Sequence, residues 1–141
     1  MTIVLAYYLN SLSLNAPITY KMNTDEQLNA FLQGKSEHTL MLFDHFITSY
    51  KDLGDVGIYP TKSMIGITAP DERRIAWVTQ LGKSFIHVVF PFKQPYDDST
   101  CFQKIAQVPG DDQYNHHFRM LQVDDINDEV IGFMKLALQQ E

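Results

Sequence analysis

The sequence predicts a two-layer α+β domain with two N-terminal helices, a mostly antiparallel sheet of four to five strands and one C-terminal helix. Two observations lead to this prediction. Apolar residues recur at helical spacing near both ends of the chain, whereas the middle alternates with a period of two. Helical and strand-like segments are thus segregated along the chain, which is typical of α+β folds. The 141 residues, of which 45% are hydrophobic, provide enough material for one core.

Each predicted helix has a recognisable start. Thr24 and Gln27 have the spacing of a capping box, which places the start of the first helix at Thr24. Ser36 can cap a second helix, and Gly54 is a natural end for it. Asn127 can cap the last helix. That helix has the apolar stripe Val130, Phe133, Met134, Ala137 and Leu138.

The N-terminal segment, residues 1–23, is predicted to be a strand or arm outside the domain of residues 24–141. Its first part, Met1 to Leu9, is apolar but too short to span a bilayer. It lacks the basic region and the cleavage site of a typical signal peptide. The alternative to a strand or arm is a signal peptide without these features. Cys101 is the single cysteine, so no intrachain disulfide can form. These features predict a soluble cytoplasmic protein that does not insert into membranes.

The central part of the chain alternates as strands do, with Pro60, Pro70 and Pro91 between or after the strands. The segment from Pro91 to about Asn115 is predicted to be irregular. The predicted strands are Val56 to Tyr59, Met64 to Thr68, Ile75 to Thr79, Phe85 to Phe90 and His116 to Val123.

The third and fourth strands are predicted to form a hairpin with a loop of residues 80–82, in which Gly82 takes the position of positive φ. This register pairs Trp77 with Phe85. Both faces of the hairpin are apolar, so both are expected to be covered. A helix suits the aliphatic face, whereas the other helices, the segment after Pro91, a ligand or a partner subunit could cover the aromatic face. The aromatic face is predicted to be Ile75, Trp77, Phe85, His87 and Val89, and the aliphatic face Ala76, Val78, Ile86, Val88 and Phe90.

A series of short motifs carries a resemblance to a known family. In chain order they are Phe31-Leu32-Gln33-Gly34-Lys35, Leu42-Phe43-Asp44, Gly54, Pro60-Thr61-Lys62-Ser63, Ile75-Ala76-Trp77-Val78 and His116-His117-Phe118-Arg119, then Asp125, Asp128 and a terminal helix. In this order they resemble the domain-of-unknown-function family numbered 5655, which also forms the C-terminal part of larger chains labelled as predicted transport proteins. The resemblance covers about residues 24–141 and implies a small α+β domain without an established activity.

Charge and motif content exclude several kinds of site. With 17 acidic and 11 basic residues, the net charge of −6 repels phosphate backbones, so nucleic-acid binding is not expected. No glycine-rich phosphate loop or dinucleotide fingerprint is present, so no cofactor is expected. His116 and His117 must face opposite sides of a strand, so at most one of them can join His87. No third ligand is available, and no metal site is expected. Cys101 has no neighbour in sequence that would lower its pKa.

The candidate binding residues are basic and aromatic. Positive side chains beside an aromatic face suit an anionic small molecule or an exposed nucleotide base. We therefore expect a non-catalytic binding or interaction module, and a homo-oligomer that pairs through the aromatic face. The alternative is a small hydrolase or transferase built around Lys62, His87 and one of the paired histidines, although no residue is assigned a catalytic role. The candidate binding residues are Lys62, Arg74, Trp77, Phe85, His87, His117 and Arg119.

Overall fold

The structure, a computed structural model, describes residues 18–140, so residues 1–17 of the predicted strand or arm lie outside the described residues. Residues 18–23 of that segment are helical, so the prediction is wrong for them. Within this range the chain forms an antiparallel sheet and three α-helices, α1 (Ile18–Leu32), α2 (Glu37–Leu53) and α3 (Asp128–Gln139). The strands are β1 (Gly57–Pro60), β2 (Ile65–Thr68), β3 (Arg74–Leu81), β4 (Ile86–Phe92), β5 (Lys104–Gln107) and β6 (Tyr114–Met120). The predicted α+β class is confirmed, with a helix pair before the sheet and one helix after it. None of the helices in the described range is long and apolar enough to cross a membrane.

The six strands lie in the order β1-β2-β3-β4-β6-β5, and every neighbouring pair is antiparallel. All strands except β5 correspond to predicted segments. β5 lies inside the stretch that the sequence predicted to be irregular, so that prediction is wrong for residues 104–107. It is a four-residue edge strand with no buried side chain, and it therefore lacks the apolar alternation that identifies a strand.

Two of the predicted helix starts are confirmed. The Ser36 hydroxyl accepts a hydrogen bond from a backbone amide in the first turn of α2 at 3.1 Å, and the Asn127 side chain does the same for α3 at 3.0 Å. The predicted start at Thr24 is wrong, because α1 begins at Ile18 and Thr24 lies inside the helix. Residues 18–24 contain neither glycine nor proline, so nothing in their sequence stops the helix from extending toward the N-terminus.

The hydrophobic core lies between the helices and one face of the sheet. Side chains from all three helices and from the central strands form a single cluster, so the three helices pack on the same face. The Tyr50 hydroxyl joins α2 to α3, because it donates a hydrogen bond to the Met134 carbonyl at 3.0 Å. The largest fully buried side chains are Tyr50, Phe43, Phe46, Phe90, Phe92, Leu28, Leu32, Leu42, Ile65, Ile67, Ile86 and Met120.

The loop predicted for the β3–β4 hairpin is wrong. Leu81 pairs with Ile86, so β3 continues through the residues predicted as the loop, which instead begins at Gly82. Gly82 is not among the residues with positive φ. A β-bulge after Val78 turns Leu81 toward the core, where it is only 8% exposed. Burial of this leucine favours the longer strand, since a loop would leave its side chain in water.

The register differs from the predicted one, but most of the side chains keep their faces. Trp77 pairs with Val89 instead of Phe85. Because this shift is an even number of residues, Trp77, His87 and Val89 still share one side of the sheet. Ile75 is 4% exposed and belongs to the core cluster, so its predicted place beside Trp77 is wrong. A bulge between β2 and β3 next to Ile75 accounts for this change.

Candidate functional site

The sheet surface opposite the three helices brings most of the candidate binding residues together, and we call it the open face. His87 and Arg119 are cross-strand partners on this face. Neighbouring strands lie about 4.8 Å apart, so the backbones of Trp77 and His117, two strands apart, are separated by about 10 Å. No described helix covers this surface. One row of partners crosses all six strands, namely Tyr59, Gly66, Trp77, Val89, His117 and Lys104.

Trp77 occupies the middle of the open face and lies over Gly66. A Cβ atom at residue 66 would come within 3.0 Å of the indole ring, so the glycine is what allows the ring to approach the neighbouring strand. The indole is partly exposed, and it is the only tryptophan of the chain. It therefore presents an aromatic surface on which a planar group can stack.

Two guanidinium groups of the sheet lie on aromatic rings. The Arg74 guanidinium carbon is 4.0 Å from the ring centroid of Tyr59, and that of Arg119 is 4.2 Å from the ring centroid of Phe85. Such contacts hold the cation in place while leaving its N–H groups able to donate. The structure thus places Phe85 in the β3–β4 loop beneath Arg119, rather than within a strand.

His87 and His117 form a hydrogen-bonded pair on the open face. The distance between His87 Nε2 and His117 Nδ1 is 2.9 Å, so one ring donates and the other accepts. Burial lowers the pKa of both rings. Neighbouring positive charge lowers it further, from His117 and Arg119 for His87, and from Lys104 and His116 for His117. Both rings are therefore neutral at pH 7. The charged neighbours that add to the effect of burial are all basic residues.

His116 belongs to the core instead of the open face. It is fully buried, its Nδ1 donates to the Tyr114 carbonyl at 2.9 Å, and its Nε2 accepts from the Tyr96 backbone amide at 3.1 Å. Both ring nitrogens are thus satisfied in the neutral form, and burial lowers the pKa of the ring. Of the two adjacent histidines, His117 is the one that meets His87, as strand geometry requires.

A depression of about 540 Å³ lies on the open face. This volume is within the range of about 300–1,000 Å³ that small-molecule sites occupy. The Gln113 side-chain amide donates to Asn115 Oδ1 at 2.9 Å, and this bond uses only one donor and one acceptor of the two amides. The lining combines apolar surface with uncharged polar groups and one histidine: Thr61, Met64, Trp77, Thr79, Val89, Gln113, Asn115 and His117.

The sheet contains no acidic residue. None of the six strands includes an aspartate or a glutamate, although the whole chain has 17 of them and a net charge of −6. The carboxylates lie in the helices, in the connecting segments and at the chain terminus. The strands supply Arg74, Lys104 and Arg119 as fixed positive charges. The open face is consequently a cationic surface on an acidic protein, and such a surface attracts anions.

The tight turns at the two ends of the sheet differ in charge. At one end, which we call the acidic end, Asp71 and Glu72 lie between β2 and β3, and a second pair of aspartates lies between β5 and β6. Arg73 at this end forms an ion pair with Asp71, with a distance of 2.7 Å. At the other end, which we call the cationic end for its tight turns, Lys62 follows β1 and Lys83 follows β3, while Asp124 and Asp125 lie in the segment that follows β6. Arg119 and Lys104 lie toward the cationic end, because β6 finishes and β5 begins there.

Some residues of the site were predicted from the sequence and others were missed. Lys62 lies in the β1–β2 turn between two lining residues of the depression, but it does not line the depression itself. Lys104 and Asn115 were missed, because both fall in or beside the segment predicted to be irregular. A lysine followed by Ile105 and Ala106 is the only local signal that could have identified β5.

The other reactive groups of the described chain do not form a second centre. Burial raises the pKa of the Cys101 thiol to about 12, and the nearby Glu129 carboxylate raises it too. The thiol is therefore protonated and weakly nucleophilic at neutral pH. Within residues 18–140, no group of three or more histidine, cysteine, aspartate or glutamate side chains is placed to hold a metal ion.

Comparisons with models of protein families, with curated proteins and with solved structures each found no match. The resemblance to the domain-of-unknown-function family numbered 5655 stays a prediction.

Proposed function

We propose that this protein is a non-catalytic binding module whose ligand site is the open face of its sheet, and that the ligand is a small anion. The observation that supports this most directly is the composition of the sheet. Six strands without a carboxylate present Arg119, Lys104 and a histidine pair beside an aromatic depression. A cationic surface with an apolar floor favours a ligand that combines negative charge with apolar area.

A second copy of the chain is the other occupant that the sequence suggests for this surface. A two-fold dimer through the open face would place the same patch of each subunit against itself. Arg119 and Lys104 would then face cations of the partner with no strand carboxylate to neutralise them. Like charges that meet in an interface cost several kcal/mol. Charge complementarity therefore favours a small anion over self-association through this face.

A thermal-shift panel of small anions tests the proposal. The panel contains inorganic phosphate, citrate, a sugar phosphate, an aromatic carboxylate and a nucleoside monophosphate, each at physiological ionic strength. A ligand at a hundredfold excess over its Kd stabilises the folded state by about 2.7 kcal/mol, which raises the melting temperature by several degrees. At least one anion should stabilise the native protein and the control Lys135→Gln, but not Arg119→Gln. Lys135 is exposed on α3 in the helix layer, so the control removes the same charge elsewhere.

Two outcomes would overturn the proposal. One is a panel in which no anion shifts the melting temperature, or in which Arg119→Gln responds as the native protein does. The other is a concentration-dependent dimer in light scattering that Trp77→Glu converts to a folded monomer, since a second copy would then occupy the open face.

A small hydrolase or transferase is the second candidate, and the His87–His117 pair is the observation that favours it. Two neutral imidazoles in contact beside a depression resemble the arrangement of a general base and a group that orients it. The structure gives Lys62 no contact with either ring, so a nucleophile is not part of this arrangement. Turnover of a panel of esters and phosphate esters that is abolished by His117→Gln would favour the enzyme over the binding module.

A further inference from the structure

We infer that the ligand of the open face is a nucleoside phosphate, with its base in the depression beside Trp77 and its phosphate directed toward Arg119 and Lys104. This inference rests on the proposed function and specifies the ligand of the same site. It combines three features of the open face: a stacking surface, uncharged hydrogen-bonding groups beside it, and the cations Arg119 and Lys104 on the neighbouring strands.

The stacking surface comes from Trp77 and its surroundings. Gly66 lies under one side of the indole, and the partly exposed ring forms part of the wall of the depression. Val89, the cross-strand partner of Trp77, adds an apolar floor. Stacking of a base on an aromatic side chain contributes affinity without selecting one base. A ligand without a planar ring would leave this surface unused.

The edge of a base requires hydrogen-bond donors and acceptors that are not charged. Gln113 and Asn115 line the depression and are joined by one amide hydrogen bond, which leaves donors and acceptors on both side chains for further bonds. Amide side chains pair well with the edges of bases. Thr61 and Thr79 also line the depression, but their hydroxyls donate to the Met64 and His87 carbonyls and can serve a base only as acceptors. The depression itself contains no lysine, arginine or carboxylate, so charge recognition must occur beside it.

The phosphate site is assigned to the positive groups beside the depression. His117 separates Val89 from Lys104 in the row across the sheet, and Arg119 follows two residues later on the same side of β6. Among the described residues, the buried atoms His87 Nδ1 and Arg119 Nε have no hydrogen-bond partner. When His117 donates to His87 Nε2, His87 Nδ1 carries a proton, so the cross-strand partners His87 and Arg119 each keep an N–H group without an acceptor. Buried polar atoms of this kind usually have a partner in the functional state.

The charge of the turns limits the ligand to a short one. A single strand of nucleic acid that ran along the strands would reach the acidic end, where Asp71, Glu72 and the aspartates between β5 and β6 repel phosphate. The uncharged base of a mononucleotide can approach this end through Gln113, whereas its phosphate, placed beside Arg119 and Lys104, lies toward the opposite end of the strands. The same surface therefore favours a mononucleotide over a polynucleotide.

The single tryptophan makes the test direct, because its fluorescence reports on the proposed stacking surface. The native protein is titrated with adenosine monophosphate, adenosine, ribose 5-phosphate and oligoadenylate. We expect saturable quenching by adenosine monophosphate, about tenfold weaker binding of adenosine because the charge-assisted bonds are lost, and no quenching by ribose 5-phosphate. Oligoadenylate should bind no more tightly than the mononucleotide. An increase of affinity with strand length would overturn the assignment of a short ligand.

Variants locate the phosphate. Arg119→Gln and Lys104→Gln should each raise the Kd of adenosine monophosphate about tenfold, whereas Arg119→Lys should retain part of the affinity and Lys135→Gln should leave it unchanged. Circular dichroism confirms that each variant is folded. Equal binding to Arg119→Gln, Lys104→Gln and Lys135→Gln would overturn the inference, as would the absence of saturable quenching at millimolar nucleotide. If another anion of the thermal-shift panel still binds in an Arg119-dependent way, the nucleotide assignment fails and the proposed function stands. If none does, both fail.

Discussion

The strongest stability prediction concerns Phe133, which joins α3 to the ring cluster beside the core. Its ring centroid lies 4.8 Å from that of Phe102, 5.3 Å from that of Tyr96 and 5.9 Å from that of Phe92. Truncation of a fully buried phenylalanine to alanine costs about 3–5 kcal/mol. Phe133 is partly exposed, which reduces the transfer contribution, but three aromatic contacts are lost at once. We therefore expect Phe133→Ala to lower the free energy of unfolding by about 3 kcal/mol.

Urea denaturation followed by Trp77 fluorescence measures this change. Trp77 lies on the open face, whereas Phe133 packs on the helix side, so the substitution does not touch the reporter. With a slope of about 2 kcal/mol per molar urea, the midpoint should fall by about 1.5 M. Lys135→Ala, an exposed change on the same helix, should alter stability by less than about 0.5 kcal/mol. An unchanged midpoint and slope for Phe133→Ala would show that α3 does not pack on the sheet through this residue.

Three further predictions concern the titratable groups. Burial lowers the folded-state pKa of His87, His116 and His117, so the unfolded chain binds more protons below the ordinary value of 6.5. Stability should therefore be complete above pH 6.5 and fall as the pH drops below it; equal urea midpoints at pH 7.5 and 5.5 would contradict this. The raised pKa of Cys101, about 12, predicts that iodoacetamide at pH 8 modifies the unfolded chain much faster than the folded protein, which mass spectrometry can quantify. Because the described residues form no metal cluster, dialysis against a chelator should leave the melting temperature unchanged, and a drop that zinc restores would refute this.

Local chemistry made much of the fold predictable from the sequence. Ser36 and Asn127 cap their helices because a short polar side chain before an apolar stripe satisfies the first unpaired amides. Trp77, His87 and Val89 lie on one face as predicted, although the predicted register was wrong. A register shift by an even number of residues keeps each side chain on the same side of the sheet. The side of the sheet on which a residue lies is therefore more predictable than its cross-strand partner. The main part of the candidate site depends only on which residues share a side.

The failures have a common physical origin in tertiary context. The bulge after Val78 exists because it buries Leu81, and no local pattern announces it. β5 forms because β6 offers it an edge to pair with, although its own four residues have little apolar character. Lys104 was missed for that reason, and with it the last member of the row that crosses the sheet. Interactions between distant segments decide these features, and a single sequence does not display such interactions.

The same charge distribution explains how an acidic protein can present an anion site. Electrostatic interactions between exposed charges are largely screened beyond about 8 Å at physiological ionic strength. The seven-residue strand β4 is about 20 Å long, so a small ligand beside Arg119 is beyond the screening distance from the aspartates at the acidic end. Of the two aspartates that follow β6, Asp125 accepts hydrogen bonds from the backbone amides of Leu121 and Gln122, which offset part of its charge. The net charge of −6 therefore does not determine binding at the open face, whereas it does oppose a long polyanion that must pass both ends of the sheet. In the proposed function, total charge opposes binding of a long polyanion, and local charge favours a small anion.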